Sequence, residues 1–135
     1  MTLVQGDRLP VWLSGLRGRG RKARVKRTIR LLLEQCYRLD EKGLDHGELS
    51  RAHKNVLVSD GDQGWILDFE SASTSRRPSN FTSLAQYLFL GGGLAKKVAK
   101  ILGPVNRTHV LESLRLYKFG KSSESFEKAL RALCL

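Results

Sequence analysis

The sequence predicts a mainly α-helical domain of the α+β class with one small β-hairpin set into it. Three observations carry that expectation. Apolar residues recur at helical spacing over residues 23–42, two short β-branched runs flank an Asp/Gly turn at residues 60–64, and beyond residue 80 the segments read as a series of helices. At 135 residues the chain is long enough for a single hydrophobic core.

Each element has a local reason. Residues 1–16, MTLVQGDRLPVWLSGL, contain Gly6, Pro10 and Gly15 and read as an extended lead-in with a short helical turn after Pro10. RGRGRKARVKR follows, seven cations in eleven residues, with two glycines that weaken any helix at its start. Val25, Ile29, Leu32, Leu33, Cys36 and Leu39 then mark one buried stripe, and Gly43 stands where a left-handed helix stop is wanted. NVLVS (55–59) and WILDF (65–69) are the strands of a two-stranded hairpin, turned by DGDQG. ESASTSRRPSN is loop chemistry. Ser79 or Asn80 is positioned to cap a helix through FTSLAQYLFL, which GGG (91–93) ends. LAKKVAKIL (94–102) is a short helix stopped by Gly103-Pro104. THVLESLRLYKFG and SSESFEKALRALCL complete the chain as two helices with Ser or Thr caps, the second with a capping box built on Ser122 or Ser123 and a glutamate. The sequons at Asn80 and Asn106 read as helix-cap chemistry.

Composition narrows the function. No apolar run approaches the ~20 residues of a membrane span, and Asp7, Arg8 and Pro10 interrupt the start before a signal-peptide core can form. A soluble, intracellular, cytoplasmic protein is expected. Cys36 and Cys134 lack any disulfide or metal spacing and read as reduced thiols, one buried and one terminal, with a bond between them as the alternative. The three histidines do not join them in a zinc pattern. The net charge of +11 is uneven, since residues 1–30 hold nine Lys/Arg against one Asp. Arg17, Arg19, Arg21, Lys22, Arg24, Lys26 and Arg27 are therefore either a solvated helix start or a contact for RNA or another polyanion. No aromatic is interleaved with them, so base stacking is not indicated.

The candidate chemistry lies in LDHGELSRAHKNVLVSDGDQGWILDFE, residues 44–70. A hairpin brings the start of its first strand near the end of its second, so Glu48 and Asp68 are expected to face one region from adjacent loops. Two carboxylates there repel each other unless a cation lies between them, and Mg²⁺ suits an oxygen site with one or two protein carboxylates.

This stretch resembles the catalytic half of the protein-kinase-like fold, in which a helix, a catalytic loop, a two-stranded hairpin and a D-F-G element follow in that order. HGELS stands at the catalytic loop and DFE at D-F-G, variants similar to the RIO-like and archaeal predicted Ser/Thr kinases. DFESAS, SRRPSN and TSL extend the likeness, which covers residues 23–90 well and residues 91–135 by helix order. The resemblance implies a transferase acting with ATP and Mg²⁺ on a Ser/Thr protein substrate. It places Glu48 at the catalytic acid, Asp68 at the metal-binding acid and His46 at the structural histidine. The asparagine expected five residues after the acid is replaced by His53, with Asn55 two places later, so these are the further nucleotide or metal candidates. Glutamate is a methylene longer than the usual aspartate, and Glu70 replaces the hinge glycine, which implies a fixed rather than a switching loop.

The same resemblance divides the chain into a hinge-like lead-in and basic loop (1–22), a helix, catalytic-type loop and hairpin (23–90), and a helical remainder (91–135). Residues 1–22 match neither the Gly-rich loop nor the strand lysine of an N-terminal lobe. The chain is thus expected to be a C-lobe without its N-lobe, as a fragment, a truncated reading frame or a natural single-lobe protein, active in full only if another chain or a longer precursor supplies that lobe. A non-catalytic scaffold binding RNA or another polyanion through Arg17–Arg27 is the other expectation. A homodimer through exposed Val4, Leu9, Val11 and Trp12 is a third.

Overall fold

A computed structural model of the protein describes residues 5–135. Its order is β1 (Asp7–Arg8), α1 (Leu9–Gly15), α2 (Arg21–Glu41), β2 (Val56–Ser59), β3 (Gln63–Ile66), α3 (Asn80–Phe89), α4 (Gly92–Leu102), α5 (Arg107–Gly120) and α6 (Ser123–Ala132), with 3₁₀ segments at Leu49–Lys54 (kinked at Arg51), Asp60–Asp62 and Phe69–Ser71. The expected mainly helical α+β class is observed.

The α2 stripe is buried as its spacing predicts. Val25, Ile29, Leu32, Leu33 and Cys36 are all inaccessible, whereas Leu39 is half-buried and Thr28 and Asp40 join the buried face instead. Gly43 ends the helix at φ +76°, with its N–H donating to Asp40 O and the Leu44 N–H to Leu39 O. That pair of bonds defines the Schellman stop and satisfies the last carbonyls. The helix passes close under the sheet at Gly64, where a Cβ would stand 2.6 Å from Leu32 Cδ2. Gln35 Nε2 bonds the Gly64 carbonyl at 3.0 Å and locks that approach.

The sheet corrects the two-stranded expectation. β2 pairs antiparallel with β3, Leu57 opposite Trp65 and Val58 opposite Gly64, and β1 adds a third strand with Asp7 opposite Val58. β3 stops at Ile66, so Leu67, Asp68 and Phe69 leave the ladder. Helix starts differ too. α4 begins at Gly92 rather than Leu94, so Gly92 and Gly93 lie in α4, while the Gly91 N–H still donates to Gln86 O at the end of α3. α5 is capped by Asn106, whose side chain accepts from the His109 N–H at 3.0 Å, as the sequon reading expected, rather than by Ser or Thr. The α6 capping box pairs Ser122 with Ser125 and uses no glutamate.

The lead-in is structured. Leu9, Trp12, Leu13 and Leu16 are buried at helical spacing, with Pro10 in the first turn of α1, where its missing N–H breaks no bond. This corrects the expected exposed N-terminal patch, because Leu9 and Trp12 face the core and Val11 alone of the three is exposed. Val4 lies outside the described residues. Larger exposed apolar groups stand elsewhere, at Leu116 and Phe119 on α5 and Trp65 on β3.

α5 and α6 close the core through an aromatic cluster. Tyr37 stacks on Phe126 at 4.5 Å, and Phe81 meets Tyr117 and Phe126 edge to face at 4.7 and 4.9 Å. Both cysteines are free, Cys36 buried and Cys134 exposed. Burial, with the Asp40 charge behind it, pushes the Cys36 thiol well up, so it stays a packing group. No helix among the described residues is long and apolar enough to cross a membrane.

Candidate functional site

The loop from Leu44 to Asn55 and the chain leaving β3 are joined by two residues. The imidazole of His46 is fully buried. Its Nδ1 receives the Glu48 N–H at 3.2 Å and its Nε2 lies 2.8 Å from the Leu67 carbonyl. A backbone N–H can only donate and a carbonyl can only accept, so the ring is neutral with its proton on Nε2. Asn55 makes the complementary link. Its Nδ2 donates to the Glu48 carbonyl at 3.0 Å, and its own carbonyl accepts the Leu67 N–H at 2.8 Å. Both backbone groups of Glu48 are thereby tied to both backbone groups of Leu67. The expected meeting of Glu48 with the segment carrying Asp68 is present, and its physical cause is this double clamp.

Asp68 follows at φ +63°, ψ +67°, a left-handed conformation that a non-glycine residue holds only where its surroundings enforce it. Its carboxylate is exposed and accepts no hydrogen bond among the described residues, while Glu48 is half-buried. Phe69 turns back over the His46 ring edge-on at 4.8 Å. The enforcement continues on the other side. Asp45 and Ser73 exchange backbone hydrogen bonds of 2.9 Å, Arg76 Nε binds Asp45 Oδ2 at 3.0 Å, and the Ser79 N–H binds Asp45 Oδ1 at 3.1 Å. Gly47, at φ +92°, lies beneath this bridge. The backbone conformation calls for glycine, and a Cβ there, 2.5 Å from Arg76 Nη2 and 3.0 Å from Ser71 O, would push the Arg76 side chain aside. The segment after Glu70 is fastened to the loop that carries Glu48.

The remaining candidates are sorted by the same geometry. Asn55 is buried and holds the loop. His53 is exposed, lies beside Tyr87 at 6.2 Å between ring centroids, and shares no hydrogen bond with the acidic pair. His46, with both nitrogens engaged, is a structural group. The basic segment is divided. Arg24 grips Asp62 with two nitrogens at 2.7 and 2.8 Å, and Arg27 lies 3.7 Å from the same carboxylate. Arg17, Arg19, Arg21, Lys22 and Lys26 remain exposed.

Asp62 carries a pH dependence. The Arg24 guanidinium holds its carboxyl below the usual carboxylate range, burial opposes this, and the Trp12 indole N–H at 3.2 Å adds to the lowering. A carboxyl lowered in the folded state stabilises the fold above the unfolded pKa of about 4, and that contribution fades as pH falls through the folded value. Asp62→Asn is therefore expected to lower Tm at pH 7, with the gap from wild type narrowing below about pH 4. A gap that stays constant from neutral to acid pH in thermal scans would refute the assignment.

Sequence reasoning overlooked a buried carboxylate, Asp40, and the network it organises. Asp40, 5% exposed, accepts from Asn80 N (2.9 Å), Asn80 Nδ2 (2.8 Å), Phe81 N (3.4 Å) and Tyr117 Oη (2.5 Å). It caps α3 from outside, in place of the Ser79 side chain, which makes no cap bond. Asn80 passes the network on, its Oδ1 accepting the His46 N–H at 2.8 Å. One signal was legible: an acidic residue in the last turn of a helix opposes the macrodipole and so calls for a partner elsewhere.

Chemically, the arrangement offers two carboxylates on adjacent, rigidly joined backbones. Among the described residues no group of three or more His, Cys, Asp and Glu side chains is disposed to hold a metal ion. Asp68 is an exposed carboxylate, an oxygen donor of the kind a hard cation such as Mg²⁺ takes. The fold and this site define an α+β domain in which hydrogen bonds join the backbones that carry Glu48 and Asp68. No family model matches the chain, and no curated protein matches it.

Proposed function

We propose that the chain is the acceptor-side lobe of a protein-kinase-like phosphotransferase of the RIO-like, archaeal Ser/Thr type. The observation that carries this reading is the clamp through His46 and Asn55. It fixes Glu48 and the Leu67–Asp68 peptide relative to each other without using either carboxylate. Mg²⁺ bound with ATP would supply charge neutralisation at the transferring phosphate. Asp68, exposed and held in one backbone conformation, is the group to hold that cation. Glu48 orients the acceptor hydroxyl of a protein substrate or takes its proton. His46 and Asn55 are positioning residues.

The 135 residues carry no Gly-rich loop and no strand lysine to grip the far side of the phosphates. Under this reading those groups lie outside these 135 residues, which by themselves bind nucleotide weakly. Calorimetric titration with ATP in the presence of Mg²⁺ is expected to show weak binding that requires the cation. Asp68→Ala is expected to weaken it about tenfold or more, equivalent to roughly 1.4 kcal/mol, with Tm unchanged. Equal affinity in the two proteins sinks the site assignment.

A further inference from the structure

Two stretches of the sequence contain no acidic residue, 8–33 and 91–111. The fold brings them together, since α4 packs against both α1 and α2. The junction is Ser14, near the end of α1. Lys97 Nζ of α4 donates to its hydroxyl at 3.2 Å, and Arg17 Nη1 donates to its carbonyl at 2.7 Å. From that point exposed cations run two ways. Arg19, Arg21, Lys22 and Lys26 continue onto the first turns of α2, and Lys96 and Lys100 stand one turn apart on α4. Asp62 neutralises only Arg24 and Arg27 at the edge of this field.

We propose that this composite face, centred on Arg17 and Lys97, binds the phosphate backbone of a nucleic acid without reading its sequence. Lys22 with Lys26 and Lys96 with Lys100 are like-charge i,i+4 pairs. Such pairs are destabilising in a free helix, and a row of phosphates relieves them. Each row is about 6 Å long at 1.5 Å per residue, so the two together suit a repeating anion better than one small ligand. An anionic membrane is the less fitting partner, because no large apolar side chain is exposed within residues 17–27 or 92–107. The absence of aromatics from both rows leaves no stacking platform, hence no sequence preference.

The α4 lysines make the idea testable, because they lie some seventy residues from the basic run that composition points to. Fluorescence anisotropy with a labelled oligouridylate and a mixed-sequence DNA duplex is expected to show binding of both, with log K falling linearly against log salt. Lys96→Gln/Lys97→Gln/Lys100→Gln and Arg17→Gln/Arg19→Gln/Arg21→Gln are each expected to weaken binding about tenfold and to make the salt slope shallower by about two. Tm is expected to hold in both. Asp68→Ala is expected to bind as wild type, which keeps this surface separate from the phosphoryl-transfer reading. An α4 triple variant with unchanged affinity and slope overturns the composite face. So do salt-independent binding, no binding at low salt, and anionic vesicles competing better than the oligonucleotides.

Discussion

Asp40→Ala is expected to be the most destabilising single change in the core, at about 3–5 kcal/mol, because it removes a buried charged acceptor and strands its partners. Four hydrogen bonds converge on this carboxylate, from the first turn of α3, the Asn80 amide and the Tyr117 hydroxyl on α5. None of the donors has water in reach to replace it, since Asn80, Phe81 and Tyr117 are all buried. For a domain whose whole stability is about 5–15 kcal/mol, such a loss lowers Tm by about 10 °C or more. Asp40→Asn keeps one acceptor oxygen and is expected to fall between Asp40→Ala and Tyr117→Phe, the last costing about 1–1.5 kcal/mol for one hydrogen bond. Urea unfolding of the three variants checks the order. A Tyr117→Phe loss equal to that of Asp40→Ala would show that the network acts through the tyrosine alone. Burial, and then the Asp40 carboxylate, push the Tyr117 hydroxyl far up, so it serves as a donor throughout the accessible range.

The contrast between Asp40 and the α2 stripe explains what the sequence could and could not disclose. Val25 to Cys36 were legible because periodicity is a property of one segment and burial follows from it. Gly43 was legible because a helix stop is equally local. Asp40 binds Asn80 and Tyr117, forty and seventy-seven residues away, and no spacing rule reaches that far. α1 is a different case. Leu9, Trp12, Leu13 and Leu16 do follow helical spacing, but Gly6, Pro10 and Gly15 read as breakers. Pro10 sits in the first turn, the one helical position where proline is harmless. β1 has two residues and owes its pairing to Leu57 and Val58 of the opposite strand, so it left no pattern of its own. At the site, the nearness of Glu48 to the Asp68 segment followed from hairpin geometry. The contribution of Asn55 did not, because it depends on the 3₁₀ turn at Leu49–Lys54 carrying that residue back under Glu48.

The clamp around His46 makes a second large effect. His46→Phe preserves the buried ring and its contact with Phe69 but leaves the Glu48 N–H and the Leu67 carbonyl unpartnered, an expected loss of about 2–4 kcal/mol. Asn55→Ala removes the side-chain donor to the Glu48 and Arg51 carbonyls and is expected to cost about 1–3 kcal/mol. The backbone carbonyl at position 55 keeps its bond to the Leu67 N–H in this variant, so the loss reaches Leu67 through the loosened Glu48 loop, and because both residues hold Glu48 the two losses are not independent. Once one link is gone the other restrains a segment already free to move, so the double variant is expected to lose about 1 kcal/mol less than the sum. The functional consequence is local. Asp68 holds its left-handed conformation against a backbone preference for other regions, and that strain persists only while Leu67 is held on both sides. Hydrogen exchange at the amides of residues 67–70 is expected to accelerate in each single variant more than exchange in α5 and α6, with Mg-ATP binding weakening in parallel. Strict additivity in the unfolding cycle, or acceleration spread evenly over the whole chain, would mean that His46 and Asn55 stabilise the fold without positioning Asp68.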